Sequence, residues 1–235
     1  MKILAIDSSG LVASVALLED DNLIAEYTMN YKKTHSQTLL PMLDEIVRMT
    51  DTDLSSIDAI AVAKGPGSFT GLRIGSATVK GLGLALDKPI VGVPTVEGLA
   101  MNLYETDALV CPLMDARRNQ VYTGIYSFQN GALQVVKEQT PVGIEEIIEA
   151  LNLIGKNVVF LGDGVPVYRE VIAEKMTVPY MFAPAHLNKQ RAGAVGVRAI
   201  EYFRQGIFVT ASEFEPDYLR LSQAERERME KEAEA

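Results

Sequence analysis

The sequence predicts an α/β protein of two mixed lobes built on one duplicated plan. Three observations predict it. The order of elements reads βββαβα(β), and it reads so twice. In each half three strand-like runs precede the first helix, joined by short turns, as in an antiparallel meander. Between the halves lies a polar interval, Glu105-Thr106-Asp107, after a helical stretch and before a strand. A doubly wound parallel sheet would instead alternate strand and helix from the start.

The first half opens on a strand over Lys2 to Asp7, followed by the turn signal Ser8-Ser9-Gly10. Val12 to Leu18 and Leu23 to Met29 give two more strands, separated by Asp20-Asp21-Asn22. Helical periodicity then takes over: Leu39, Leu40, Leu43, Ile46 and Val47 share one face. Thr34 or Ser36 is placed to cap that helix, and Pro41 is expected near its first turn. Ile57 to Ala63 reads as a strand. The loop Gly65-Pro66-Gly67 follows, then a helix from about Thr70 to Leu86, a strand from Pro89 to Val93 and a helix from about Val96 to Tyr104.

The second half repeats the order. Leu109 to Met114, Val121 to Tyr126 and Leu133 to Glu138 are strands, and Ile144, Ile147, Ile148, Leu151 and Ile154 form a helical stripe. Val158 to Leu161 is a strand leading into Gly162-Asp163-Gly164. Pro166 suits the first turn of the next helix. Asn188 is placed to cap a final helix ending near Gly206. The expected organisation is a lobe over 1–105, a lobe over 106–220 and a charged tail over 221–235, in which Ala224 to Ala235 alternates acid and base.

Composition narrows the function classes. The chain has 235 residues, 48% of them hydrophobic, enough for a real core. Its net charge of −9 makes it a poor lone ligand for nucleic acid, because phosphate contacts need clustered Lys and Arg. No apolar run reaches the ~18 residues of a membrane helix, and the run Ile3 to Ile6 is too short for a signal peptide. A cytoplasmic protein is expected. The single cysteine, Cys111, lies in an apolar run and reads as a core thiol. Neither a nucleophile elbow nor a His-Glu-x-x-His sequence is present, so hydrolase chemistry has no visible nucleophile–base pair. His35 and His186 stand in polar, capping-type contexts.

The loop Gly65 to Gly71 joins a strand to a helix, with Ser68 and Thr70 able to cap it. Free N–H groups there could hold an anion, or the loop is simply a tight turn. It lacks the Gly-Lys-Ser/Thr of a Walker A loop. The helix after it carries Gly71, Gly75, Ala77, Gly81, Gly83 and Ala85. Each glycine costs ~1 kcal/mol against alanine, a cost that suits close approach by another backbone, in this chain or a second one. Candidate nucleotide contacts are Asp7, Ser8 and Ser9 at the first hairpin turn, Asp115 at the matching turn of the second half, and Gly162, Asp163 and Gly164. Asp, Ser and Gly are also plain turn residues.

Four segments carry a resemblance: Met1-Lys2-Ile3-Leu4-Ala5-Ile6-Asp7-Ser8-Ser9, His35-Ser36-Gln37-Thr38-Leu39-Leu40-Pro41, the run Lys64 to Gly75 with its Gly-Pro-Gly-Ser-Phe-Thr-Gly-Leu-Arg, and Met114 to Tyr122. Together they resemble the bacterial TsaB (YeaZ) family, over nearly the whole chain up to Tyr218-Leu219-Arg220. The resemblance implies a duplicated actin-like (ASKHA, ribonuclease-H-like) fold. It implies a non-catalytic subunit that pairs with TsaD, a catalytic homologue, and with TsaE, an ATPase. The complex moves a threonylcarbamoyl group from threonylcarbamoyl-AMP to N6 of the adenosine beside the anticodon, in tRNAs reading codons that begin with A. The chain would meet tRNA only through that complex and would form a homodimer alone. It would need no metal or cofactor of its own, an adenine nucleotide binding weakly if at all. In TsaD-type chains a His-x-Glu-Gly-His segment follows the fifth strand, and two such histidines can share a metal. Here Thr95-Val96-Glu97-Gly98-Leu99 stands in its place.

The family's pairing surface maps to the first two helices, giving His35, Leu39, Leu40, Leu43, Ile46, Val47, Gly71, Leu72, Gly75 and Val79 as interface residues. On that reading Gly75→Glu should block pairing and spare the fold; unfolding would mean that the face is internal core. The competing reading is an independent actin-like ATPase or small-molecule kinase, motivated by the two Asp-bearing turns and Gly162-Asp163-Gly164.

Overall fold

The computed structural model describes residues 1–31 and 33–219. The tail expected over 221–235 lies outside the described residues.

Alternation with period two builds the first sheet. In β1 (Lys2–Asp7), Leu4 and Ile6 point to one face, Ile3 and Ala5 to the other, and all four are buried. A strand so covered belongs at a sheet's centre. It pairs antiparallel with β2 (Ala13–Glu19), which pairs antiparallel with β3 (Asn22–Met29). On its other side β1 pairs parallel with β4 (Ala59–Gly65), and β4 with β5 (Ile90–Pro94). The order is β3-β2-β1-β4-β5.

The second sheet repeats the pattern with β6 (Leu109–Asp115) at its centre. β7 (Gln120–Gln129) and β8 (Ala132–Gly143) are antiparallel on one side; β9 (Val158–Leu161) and β10 (Tyr180–Phe182) are parallel on the other. Its order, β8-β7-β6-β9-β10, matches the first sheet strand for strand.

Each sheet carries a pair of helices on one face. α1 (His35–Met49) and α2 (Phe69–Leu86) cover the first sheet, where Leu39, Met42, Leu43, Ile46 and Val79 join Leu4, Ile6 and Val62 in one core. α4 (Ile144–Ile154) and α5 (Gly164–Lys175) cover the second, around Cys111, Leu113 and Phe160. The remaining faces are covered crosswise. α3 (Thr95–Ala100), from the first half, packs on the second sheet through Val96, Leu99 and Ala100. α6 (Ala192–Arg204), from the second half, packs on the first sheet through Ala192, Val195, Ala199 and Ile200. A cut after Glu105 would therefore separate each sheet from the helix that closes one of its faces.

Where α3 and α6 touch, Glu97 and Arg198 form a buried ion pair, Nε to Oε2 2.9 Å. Tyr202 donates its hydroxyl to the same Glu97 oxygen at 2.6 Å, and Arg198 also meets Glu201.

Several local expectations are corrected. α1 begins at His35, so Pro41 falls in its second turn rather than near the first. It is tolerated because Pro41 and Gln37 are both exposed, leaving water within reach of the carbonyl that Pro41 cannot bond. Neither Thr34 nor Ser36 caps α1 with its side chain; Ser36 Oγ donates to Thr34 Oγ1 instead. Asn188 caps no helix. Its side chain accepts from the Gly162 N–H at 2.8 Å, and α6 starts at Ala192. The helix expected to Tyr104 ends at Ala100 and continues as a 3-10 turn, Met101–Leu103. Among the described residues no helix is long and apolar enough to cross a membrane.

Arg198→Met alone should destabilise the chain by about 3–5 kcal/mol in chemical denaturation, because it strands a buried carboxylate. Glu97→Gln/Arg198→Met should recover most of that loss.

Candidate functional site

Three segments meet at the first hairpin turn. The Asp7 carboxylate accepts from the Ser9 N–H at 2.9 Å and the Ser9 hydroxyl at 2.6 Å. Ser8 Oγ donates to the Gly71 carbonyl at 2.9 Å, and the Ser68 N–H donates to the Ser9 carbonyl at 2.7 Å. His35 Nε2 lies 2.8 Å from the Gly10 carbonyl, so this nitrogen carries the proton. The turn is thus clamped by the glycine loop, by the first turn of α2 and by the first residue of α1.

That clamp explains two of the glycines of α2. A Cβ on Gly71 would overlap the Ser8 carbonyl oxygen, and one on Gly75 would overlap Ser8 Oγ. The close backbone approach that these glycines permit is to this chain's own hairpin turn. Ser68 is the N-cap, accepting weakly from the Gly71 N–H at 3.4 Å; Thr70 lies inside the helix.

A cleft of about 1280 Å³ opens between the lobes. One wall is Ser9, Gly10, Leu11 and the loop Pro66 to Thr70; the other is the turn Asp115 to Arg118 with Tyr122 and Asp163. The second turn is tight. Arg117, Arg118 and Asn119 all have positive φ (62°, 55° and 56°), a conformation that costs a non-glycine residue about 1 kcal/mol or more. Asp115 accepts from the Arg117 N–H at 2.9 Å and the Tyr168 hydroxyl at 3.2 Å, which holds the turn closed. Asp163 Oδ1 accepts from the Asp115 N–H at 3.2 Å, and burial raises its pKa against the pull of that bond and of Lys189.

Of the expected nucleotide contacts, Ser9, Asp115 and Asp163 line this cleft. Asp7 and Ser8 lie beneath it, 1% and 2% exposed. Gly162 presses against the backbone of Leu113, where a Cβ would not fit, and Gly164 packs tightly against the same residue. Their absent side chains make room for β6.

The expected interface residues divide by burial. Leu39, Leu43, Ile46, Leu72 and Val79 are core residues of this chain, and Gly71 and Gly75 face Ser8, so none of these seven stands at this chain's surface. His35 is part-buried on the hairpin turn and Val47 is half-buried against the core. Leu40, 55% exposed, is the one expected residue that stands out from the surface. The helical stripe marked the core side; the outward side of the same helices bears Leu40, Met49, Ala77, Gly81 and Leu84.

Sequence reading also missed the last described segment. It returns along α2, held by Lys80 Nζ on the Phe214 carbonyl at 2.9 Å and by the Asp217 N–H on the Lys64 carbonyl at 2.7 Å. It brings Tyr218 to the cleft mouth, 5.0 Å ring to ring from Phe69, over which Arg73 stacks at 4.0 Å. No periodicity announces such a contact between residues so far apart.

The segment Thr95 to Leu99 is built into the fold. Thr95 Oγ1 accepts from the Gly65 N–H at 3.1 Å, Leu99 is core, and the Glu97 carboxylate is held by Arg198 and Tyr202.

Two repeated lobes with crossed helices and an interlobe cleft define an actin-like protein. The fold is shared, at 12% identity and a TM-score of 0.51, with (R)-2-hydroxyglutaryl-CoA dehydratase component A of Acidaminococcus fermentans. Residues 22–228 match the family described as TsaD, tRNA N6-adenosine threonylcarbamoyltransferase. The chain is 36% identical to the tRNA threonylcarbamoyladenosine biosynthesis protein TsaB of Bacillus subtilis, over 96% of each chain. It is 30% identical to the protein of that name from Escherichia coli, over 94% of this chain and 95% of that one. YeaZ from Pseudomonas aeruginosa superposes with a TM-score of 0.80 at 30% identity, covering 93% of this chain and 99% of that one. The chain belongs to the TsaB (YeaZ) family.

Burial pushes the Asp7 carboxyl up from 3.8 to about 6, with the Ser9 donors pulling the other way. Between about pH 4 and 6 the folded chain keeps a proton that the unfolded chain has released, so stability falls as pH rises, and the full cost stands above pH 6. A shift of this size corresponds to about 3 kcal/mol. Asp7→Asn should therefore melt higher than the native chain at pH 7.5, and the gap should close as thermal melts are taken down to pH 4.

Proposed function

We propose that this chain is a non-catalytic subunit in tRNA threonylcarbamoyladenosine synthesis, partnering a TsaD-type transferase that performs the transfer to N6 of adenosine. The observation that carries this reading is the state of Glu97. In the segment Thr95 to Leu99, which the resemblance sets against the transferase's histidine pair, the carboxylate is neutralised by Arg198 and the flanking positions are a threonine and a leucine. Thr95 is engaged by backbone and Leu99 is packed in the core. This donor set suits a structural joint and not a metal-assisted transfer.

On this reading the chain supplies a surface. The exposed sides of α1 and α2, with Leu40, Met49 and Leu84, pair with the TsaD homologue and in its absence with a second copy; TsaE joins the assembly, which works in the cytoplasm. The net charge of −9 favours tRNA contact through the partner. The chain needs no cofactor, and an adenine nucleotide in the cleft would bind weakly, since Asp7 lies beneath it and Gly162 and Gly164 are turned to β6.

The pairing surface is tested by two substitutions in one helix. Leu84→Glu should leave the circular dichroism spectrum unchanged and weaken self-association and TsaD binding at least about tenfold in sedimentation runs. Gly75→Glu should instead unfold the chain, costing more than about 4 kcal/mol, because it forces a charge against Ser8. Normal association of the Leu84→Glu chain would refute this surface. The subunit role is tested by deleting the gene: the modified nucleoside should vanish from tRNA. Tight ATP–Mg binding with turnover by the isolated chain would favour the ATPase reading instead.

A further inference from the structure

Among the described residues the chain passes between the lobes twice, through α3 with its following 3-10 turn and through the segment 183–191 ahead of α6. In a two-lobed protein these are where a hinge would lie, because a few residues at element ends must absorb the dihedral change of closure. Here the second crossing is pinned along its length. At the second lobe, the Asn188 carbonyl and side chain both accept from the Gly162 N–H, at 3.1 and 2.8 Å. At the first sheet, Arg191 pairs with Glu26. The free N–H groups at the start of α6 are satisfied from that sheet too: Ala192 donates to Ser14 Oγ at 2.8 Å and Gly193 to Glu26 Oε1 at 2.8 Å. Only Lys189 and Gln190 lie between these anchors. The Lys189 carbonyl is itself held by Asn102 at 2.7 Å, and Gln190 is 1% exposed.

Asn102 belongs to the first crossing, and it also bonds the Leu187 carbonyl at 3.0 Å, so the two crossings are tied to each other. The Glu97–Arg198 pair makes a second tie, between α3 and α6 themselves. Sliding α3 past α6 would pull apart a pair of charges buried away from water, which is strongly opposed.

We propose that the two crossings form a fixed brace, so that the cleft keeps one width whether or not it is occupied. A partner would then meet a constant surface across both lobes. This inference is independent of the reaction in which the chain takes part.

Spin labels at Asp21→Cys and Glu170→Cys, exposed positions on opposite lobes, report lobe separation by pulsed electron resonance. Cys111 is buried with its thiol pushed up to about 12, and stays unlabelled. The expected result is one narrow distance distribution, unmoved by saturating ATP–Mg. In Glu97→Gln/Arg198→Met, which keeps the packing and removes the charges, the distribution should broaden and amides 183–191 should exchange at least about tenfold faster. A broad or two-peaked distribution in the otherwise native chain, or a shift on adding ATP–Mg, would overturn the brace. So would an unchanged distribution and unchanged exchange in the double variant, provided that thermal melts show it folded.

Discussion

The contact between α3 and α6 is the constraint on which the rest of the structure depends. Each of these helices follows one sheet in sequence and closes the other in space. Neither sheet can bury both faces without the other half of the chain. The buried Glu97–Arg198 pair sits at this exchange. A paired charge at such a place adds little net stability over a packed apolar pair. It does penalise any arrangement that separates the two helices, so it acts on geometry more than on the free energy of folding.

The cleft follows from the same arrangement. The duplicated sheets bring two hairpin turns face to face, and these walls differ in chemistry. The first turn is drawn inward: its carboxylate is buried and bonded by Ser9, its Ser8 hydroxyl donates to α2 and its Gly10 carbonyl accepts a hydrogen bond from His35. The second faces outward, with Arg117 and Arg118 exposed on a strained backbone. The first wall has been absorbed into the packing of α1 and α2, while the second remains available to solvent and partners. A buried, weakly compensated Asp7 is costly, and its local bonds to Ser9 offset only a fraction of that cost.

The same physics explains why most of the interface residues expected from sequence are buried in this chain's own core. An apolar stripe at helical spacing reports the side that leaves water, and in this chain Leu39, Leu43 and Ile46 leave it for the first sheet. Glycines at four-residue spacing report a close approach without saying to what; here Gly71 and Gly75 meet the turn at Ser8. Surface chemistry has no comparable periodic signal, so Leu40 and Leu84 could be sorted from the core only by burial.

The sequence by itself determined most of the elements and their repetition, though not the short strand β10. Strand alternation in Lys2 to Asp7 and Leu109 to Asp115, the stripe of Ile144 to Ile154, and the turn residues at Ser8-Ser9-Gly10 and Gly162-Asp163-Gly164 are all local, because each depends on spacing along a few residues. The segments about Asp7, His35, Gly65 to Arg73 and Asp115 also sufficed to point to the family. Tertiary structure alone decided the crossed helices, the engagement of Glu97 by Arg198, the use of Asn188 as an anchor and the return of Tyr218 to Phe69. These contacts join residues tens to more than a hundred positions apart, and their energy comes from desolvation and geometry at the meeting point. Neither quantity is carried by the order of residues on either side.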